Sequence, residues 1–413
     1  SAGNGLISDA YAYLSTMSIA QSSLLNNGSV FNYTQAPSPI PKSLTWEKAT
    51  TYDLGLDFEA FNGRLNFSAD IYRKKTTDMY VVGEELPAVF GNSAPKGNYA
   101  DMRTDGWEAS LSWRDSHKVA GKTLSYNIKV AVWDNTSKIT RYTAKTGTLP
   151  TNYSINYYEG MTLGEMWGYK CDGLFQSDEE AQTWANYSKF TNRSATWQAG
   201  DPRYLDLNGD GYVNNGNNTI YDHGDLVKIG NTTPRYSYSI QGGVRWNGIG
   251  ISMMWQGVGK RDWYPAKESG YFWGQYGRPY SMALPWHNSD RWSPTNRGAY
   301  WPRLVGYSAS DSGLILAQPN TRYVQDASYI RLKNLTIDYN FPKELVNKIG
   351  LQALKIYVSG ENLLTFSPLK KYAKNYDPEG IYAGDAVYGT NKFGDGDGYP
   401  VMKSYTIGLS ITF

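Results

Sequence analysis

Thr50-Thr51-Tyr52-Asp53-Leu54-Gly55-Leu56-Asp57-Phe58-Glu59-Ala60 is the stretch that decides the fold. Tyr52, Leu54, Leu56 and Phe58 occupy alternate positions, with Thr51, Asp53, Gly55, Asp57 and Glu59 between them. A period of two places these sets on opposite faces of a β-strand, one apolar and one polar. Asn62-Gly63 follows, a pair that accepts positive φ in a tight hairpin turn. Alternation then resumes, with Leu65, Phe67, Ala69 and Ile71 set against Asn66, Ser68, Asp70 and Tyr72.

The same pattern recurs down the chain. Trp107 to Trp113, Leu124 to Val132, Tyr236 to Trp246 and Ile249 to Trp255 each carry an apolar stripe. So do Leu335 to Phe341, Leu354 to Val358 and the terminal Tyr405, Ile407, Leu409, Ile411 and Phe413. The sequence therefore predicts nine antiparallel strands and an all-β fold. Short connections fall at 61–63, 115–122, 247–248 and 342–352; long ones fall at 81–100, 136–233, 265–320 and 366–400. The two kinds alternate, so every long loop lies at one end. Outer-membrane barrels are built this way, with short periplasmic turns and long external loops. Trp107, Trp113, Trp133, Trp246 and Trp255 sit near strand ends, where interfacial aromatic girdles would lie. A soluble sheet with cross-strand aromatic pairs is the rival reading. Residues 1–49 read as an external loop, and 50–413 as barrel strands with their loops. Ser177-Asp178-Glu179-Glu180 and Pro342 to Ile349 each open a short helix, the second in a periplasmic turn.

Composition agrees. The 413 residues carry 40 Lys plus Arg and 38 Asp plus Glu, so no one-signed field points at nucleic acid. Aromatics reach 15%, with 35 Tyr and 14 Trp, while charged residues are 19%. No apolar run approaches the roughly 20 residues of a membrane helix, which leaves alternating barrel strands untouched. Cys171 is the single cysteine, so the chain has no internal disulfide framework. Adjacent acids such as Glu84-Glu85 and Glu179-Glu180, three scattered histidines and the absence of nucleophile motifs predict no enzyme.

Asp206-Leu207-Asn208-Gly209-Asp210-Gly211-Tyr212 has the D-x-N-x-D-G form that opens a calcium loop. Asp206, Asn208, Asp210 and the Tyr212 carbonyl are the expected ligands. Asn217 stands at the twelfth position, so Asp222 or Asp225 would complete the set. The competing reading is an Asx-rich turn closed by its own backbone. Asp395-Gly396-Asp397-Gly398 reads as a plain turn. The 261–301 loop carries Trp263, Tyr271, Trp273, Trp286, Trp292 and Trp301, candidate platforms for sugar rings, with Tyr264, Phe272, Tyr276, Tyr280 and Tyr300 beside them. Self-packing of the loop accounts for many of these rings equally well.

Several stretches resemble the SusC-like (SusC/RagA type) TonB-dependent transporters of the Bacteroidota outer membrane. They are Trp46 to Asp57, Ser68 to Met79, Gly168-Tyr169-Lys170-Cys171-Asp172-Gly173-Leu174-Phe175, Asp326 to Thr336, Ser359 to Thr365 and Tyr399 to Phe413. The resemblance implies a transmembrane barrel of about 22 strands with a plugged lumen. The nine strands here match its C-terminal part, so the plug, the TonB box and the earlier strands are expected on a longer polypeptide. It further implies TonB-driven import of oligosaccharides across the outer membrane of a Gram-negative bacterium, under a SusD-like lipoprotein lid. Peptide import by the same class, and a soluble surface glycan-binding β protein, are the alternatives. The implied partners are the lid, the missing strands and plug, TonB through that plug, outer-membrane lipid and the substrate.

Overall fold

The computed structural model describes residues 2–4, 14, 16–35, 37, 39–42, 44–84, 86–87, 89, 94–143, 147–150, 156–184, 197–266, 269–277, 282–305, 316, 319–381 and 401–413. Glu85, Tyr280 and the Asp395-Gly396-Asp397-Gly398 turn lie outside them.

Nine long strands form one antiparallel meander. They are β1 (Lys48–Ala60), β2 (Leu65–Val82), β3 (Lys96–Val119), β4 (Lys122–Tyr142), β5 (Arg235–Trp246), β6 (Ile249–Lys260), β7 (Tyr329–Asn340), β8 (Ala353–Phe366) and β9 (Ser404–Thr412). Each pairs with its neighbours in chain order, and the short strand Ala2–Asn4 adds a tenth against the start of β1. The all-β expectation holds strand by strand.

The register gives the sheet two chemically different faces. Directly paired residues share a face. One row runs Phe58, Phe67, Leu111, Val130, Ile240, Trp255, Leu332 and Leu364, from β1 to β8, and is apolar throughout. The neighbouring row, one residue along and on the other face, runs Asp57, Ser68, Ser110, Ala131, Ser239, Gln256, Arg331 and Thr365. The apolar face is bare: Leu54 is 70% exposed, Ile407 78% and Leu409 60%. Contiguous apolar area of this extent is unstable against water and needs a covering phase.

Turn chemistry sets the short ends. Asn62 and Gly63 have φ of 55° and 76°, and Asn247 and Gly248 have 47° and 87°, the left-handed values that tight hairpins demand. The turn expected over 115–122 is narrower, because pairing runs on to Val119 opposite Lys122. The last short connection holds the helix Lys343–Val346, entered through Pro342 and closed by Gly350 at φ 77°. At the other end β3 and β4 overrun their apolar stripes. These strands have 24 and 21 residues, about twice the span a tilted strand needs to cross a bilayer.

The buried core lies in the long connections instead of under the sheet. Met166, Tyr169, Phe175, Tyr204, Trp263, Phe272, Trp273, Trp301 and Tyr323 belong to one cluster there. The N-terminal segment, expected as an external loop, contains a hairpin of Ser18–Asn26 and Ser29–Gln35. The helix expected after Ser177 spans Asp178–Thr183, with the Ser177 side chain accepting from Glu180 N–H.

Candidate substrate path: the inner wall and its loops

The polar face of the sheet is built by the same alternation that exposes the apolar one. Thr336 and Ser359 hydroxyls meet at 3.0 Å across β7 and β8. Arg245 donates two bonds to Asp338 at 2.8 and 2.9 Å. Trp133, counted above with the girdle aromatics, pairs with Glu108 and Ser237 and so lies on this polar face. Such a wall can exchange hydrogen bonds with water or a hydroxyl-rich or amide-rich solute.

Arg331 ties a long connection to the wall. It is 2% exposed and bonds both Asp377 oxygens at 2.7 and 2.8 Å, Glu379 at 2.6 Å and Thr365 at 2.9 Å. Lys333 donates to Glu379 at 2.8 Å. Burial alone would raise the Asp377 carboxyl; the Glu379 amide and Arg331 reverse this and hold it below the ordinary value. Sequence spacing gave no sign of this network, since its acids lie more than forty residues from Arg331.

The aromatic loop is mostly a packed core. Trp263, Trp273 and Trp301 are at most 1% exposed. Phe272 lies edge-on to Trp273 and Trp301 at 4.8 and 5.0 Å, and Tyr276 stacks on Trp301 at 5.9 Å. Rings so covered have no free face for a sugar. Tyr271 is 56% exposed, and Trp286 and Trp292 are half-buried. His287 sits in this core at 4.5 Å from the Trp301 ring, with Nε2 at 2.7 Å from the Phe272 carbonyl. Burial pushes its pKa below the ordinary value, although the carbonyl works the other way. A second buried knot joins Glu165 to the Tyr158 hydroxyl at 2.5 Å and to Lys228 at 2.8 Å. Burial would raise the Glu165 carboxyl, but Lys228, Tyr158 and the Thr162 amide together keep it low.

The Asp206 loop is compact. Asp206 accepts from the Gly209 and Gly211 amides at 2.7 and 2.8 Å, and Asp210 from the Tyr212 amide at 2.8 Å. Asp225 is fully buried and accepts from Leu207, Asn208 and Asn214 amides, so the fold does bring it to this loop. Asp222 instead receives Asn217 Nδ2 at 2.7 Å. Among the described residues no group of three or more His, Cys, Asp or Glu side chains converges as a metal centre. The local donor set is two carboxylates, an amide oxygen and main-chain carbonyls. Each carboxylate oxygen that accepts one N–H keeps a further lone pair, so this set still suits a hard cation.

No protein-family model matches the chain. It is 27% identical over 383 residues, 90% of its length, to TonB-dependent receptor P3 of Formosa agariphila. It is 22% identical over its full length to TonB-dependent receptor SusC of Bacteroides thetaiotaomicron. The chain spans about a third of those relatives, 34% and 36% of their lengths. Among solved structures, the RagAB peptide transporter superposes with a TM-score of 0.67 at 18% identity, covering 97% of this chain and 38% of that one. Its "open-open" state gives 0.69 at 19% identity, covering 97% and 38%. The resemblance to SusC-like TonB-dependent receptors thus extends over nearly the whole chain, and the fold is that of the C-terminal portion of such a barrel.

Proposed function

We propose that this chain forms the C-terminal wall and external loops of an outer-membrane, TonB-dependent importer. The observation that carries the reading is the pair of adjacent rows, one apolar across eight strands and the next polar at every strand but β4, which places Ala131 there. A bilayer covers the first face, and a water-filled lumen wets the second. The named relatives are receptors and transporters, and we read the chain as non-enzymatic.

The remaining strands, the plug and its TonB contact would come from the rest of the polypeptide. A SusD-like lipoprotein would close over the long loops. We take oligosaccharides as the substrate class, with Tyr271, Trp286 and Trp292 as the rings still able to stack on a sugar. Asp206, Asn208, Asp210 and the Tyr212 carbonyl, supported by Asp225, are proposed to hold a calcium ion that would stiffen the external loop.

Uptake of labelled oligosaccharides and of labelled peptides by cells carrying the full transporter, with and without TonB, tests the assignment. TonB-dependent glycan uptake that falls when Tyr271 is changed to Ala supports it. Peptide uptake alone would transfer the substrate to the other class. Uptake of neither, with the protein in the soluble fraction, would favour a surface glycan-binding protein.

A further inference from the structure

The bare face of the sheet is not apolar to its top. Four residues beyond the level of Leu54, Ile71 and Trp107, or about 13 Å along the strands, the same face carries a row of cations. Thr50 pairs with Lys75, Lys75 with Arg103, Arg103 with Lys138, and Lys138 with Thr162 of a long loop. Three cations therefore stand side by side on adjacent strands, with a hydroxyl at each end of the row. Directly opposed like charges destabilise a sheet unless something neutralises them.

The protein supplies little. One level nearer the apolar band, Asp105 is shared between Arg73 at 2.5 Å and Arg103 at 3.0 Å. Lys75 and Lys138 are exposed, and among the described residues neither ammonium group has an ion pair or a hydrogen bond. Lys75 only lies over the Tyr52 ring, at 5.9 Å. Beside this row lies a depression of ≈ 670 Å³ whose lining includes Tyr52, Asp53, Leu54, Ile71, Arg73, Lys75 and Asp105. Leu54 and Ile71 lie on its floor, and Arg73 and Lys75 stand at its upper rim, where Asp105 neutralises Arg73 and leaves Lys75 free; an amphiphile whose anionic head lies above its acyl chain has the matching profile.

We propose that Lys75, Arg103 and Lys138 bind the phosphate groups of an anionic glycolipid in the leaflet that surrounds the long-loop end of the barrel. Basic side chains just above a bilayer attract anionic headgroups, and charge-assisted bonds to phosphate oxygens are the strong kind. The location matches: the row lies on the lipid-facing wall, above the interfacial rings, and not in the lumen. The inference rests on the membrane-spanning reading proposed above.

The test uses the full transporter. Its resistance to alkaline carbonate extraction from native membranes is measured first, and then its binding to phosphatidylcholine vesicles that contain lipid A. Parallel arms hold dephosphorylated lipid A, or add inorganic phosphate as competitor. Lys75→Gln with Lys138→Gln, which breaks no ion pair, should lower lipid A binding about fivefold or more. Adding Arg103→Gln should deepen the loss, Lys75→Arg with Lys138→Arg should restore binding, and lumen-facing Lys355→Gln should change nothing. Carbonate-resistant protein that binds lipid A equally in all variants, or binds the dephosphorylated lipid as well, overturns this proposal alone. Displacement by inorganic phosphate would mean an isolated anion site and also overturns it. Release of wild-type protein by carbonate would sink the membrane reading and this proposal together.

Discussion

At the scale of single residues, the alternation makes sharp demands. Leu409 lies mid-strand on the apolar face, 60% exposed, while Thr406 lies on the polar face opposite Ser359. Leu409→Arg should cost about 2–4 kcal/mol near the bilayer midplane and lower the assembly yield of the transporter in membranes. Thr406→Arg should assemble at close to wild-type yield. Both can be read from heat-modifiable mobility of the assembled barrel. Equal yields for the two variants would contradict the assigned faces. The stripes were legible residue by residue, because a period of two needs no tertiary information. Trp133 was not, since a Trp near a strand end suits either face and only the pairing with Glu108 and Ser237 decides. Arg235 escapes the pattern too: Tyr236 has φ 53°, which breaks the alternation and lets Arg235 reach Asp134 at 2.6 Å.

At the scale of elements, the loop core behaves as a small globular unit seated on a wall. Trp301→Ala removes a fully buried ring and should cost about 3–5 kcal/mol of local stability. Hydrogen exchange should then rise across 270–301 while β5 and β6 stay protected. His287 adds a pH dependence whose sign is fixed by its lowered pKa. Below about pH 6.5 the unfolded loop takes up a proton that the buried ring resists, so stability falls as pH drops through that value. Protection factors across the same segment, taken against the intrinsic exchange rate at each pH, should fall on acidification, and His287→Gln should flatten the profile. At the Asp206 loop, calcium should slow exchange over 206–214, and Asp206→Asn with Asp210→Asn should abolish that effect. Unchanged exchange would leave the loop as a turn closed by its own backbone. This scale was the least legible in sequence. A run of aromatics looks the same whether its rings face ligand or each other, and Trp263, Trp273 and Trp301 turned inward because a long connection must bury its own core. The strand overrun of β3 and β4 was hidden for a related reason, since above a bilayer the outward face turns polar and the alternation fades.

At the scale of the whole molecule, the sheet has two edges. Beyond Thr50, β1 has no partner on its outer side among the described residues, and neither does β9. On the membrane-spanning reading proposed above, unpaired backbone groups in hydrocarbon would cost several kcal/mol each, so these edges would call for partner strands. The relatives supply the length for them, since this chain covers about a third of each. Expressed by itself, the 413-residue chain should aggregate or stay unassembled in detergent. Light scattering that shows a folded, monodisperse monomer would contradict this. The central claim is that the apolar rows face lipid and the polar rows face water. Single cysteines placed from Tyr405 to Thr412 in the full transporter, with Cys171→Ser, measure it directly. The account predicts that positions 405, 407, 409 and 411 are quenched by a lipid-borne probe, while 406, 408, 410 and 412 react with a water-soluble maleimide. Uniform reaction with the maleimide along the whole strand would contradict it.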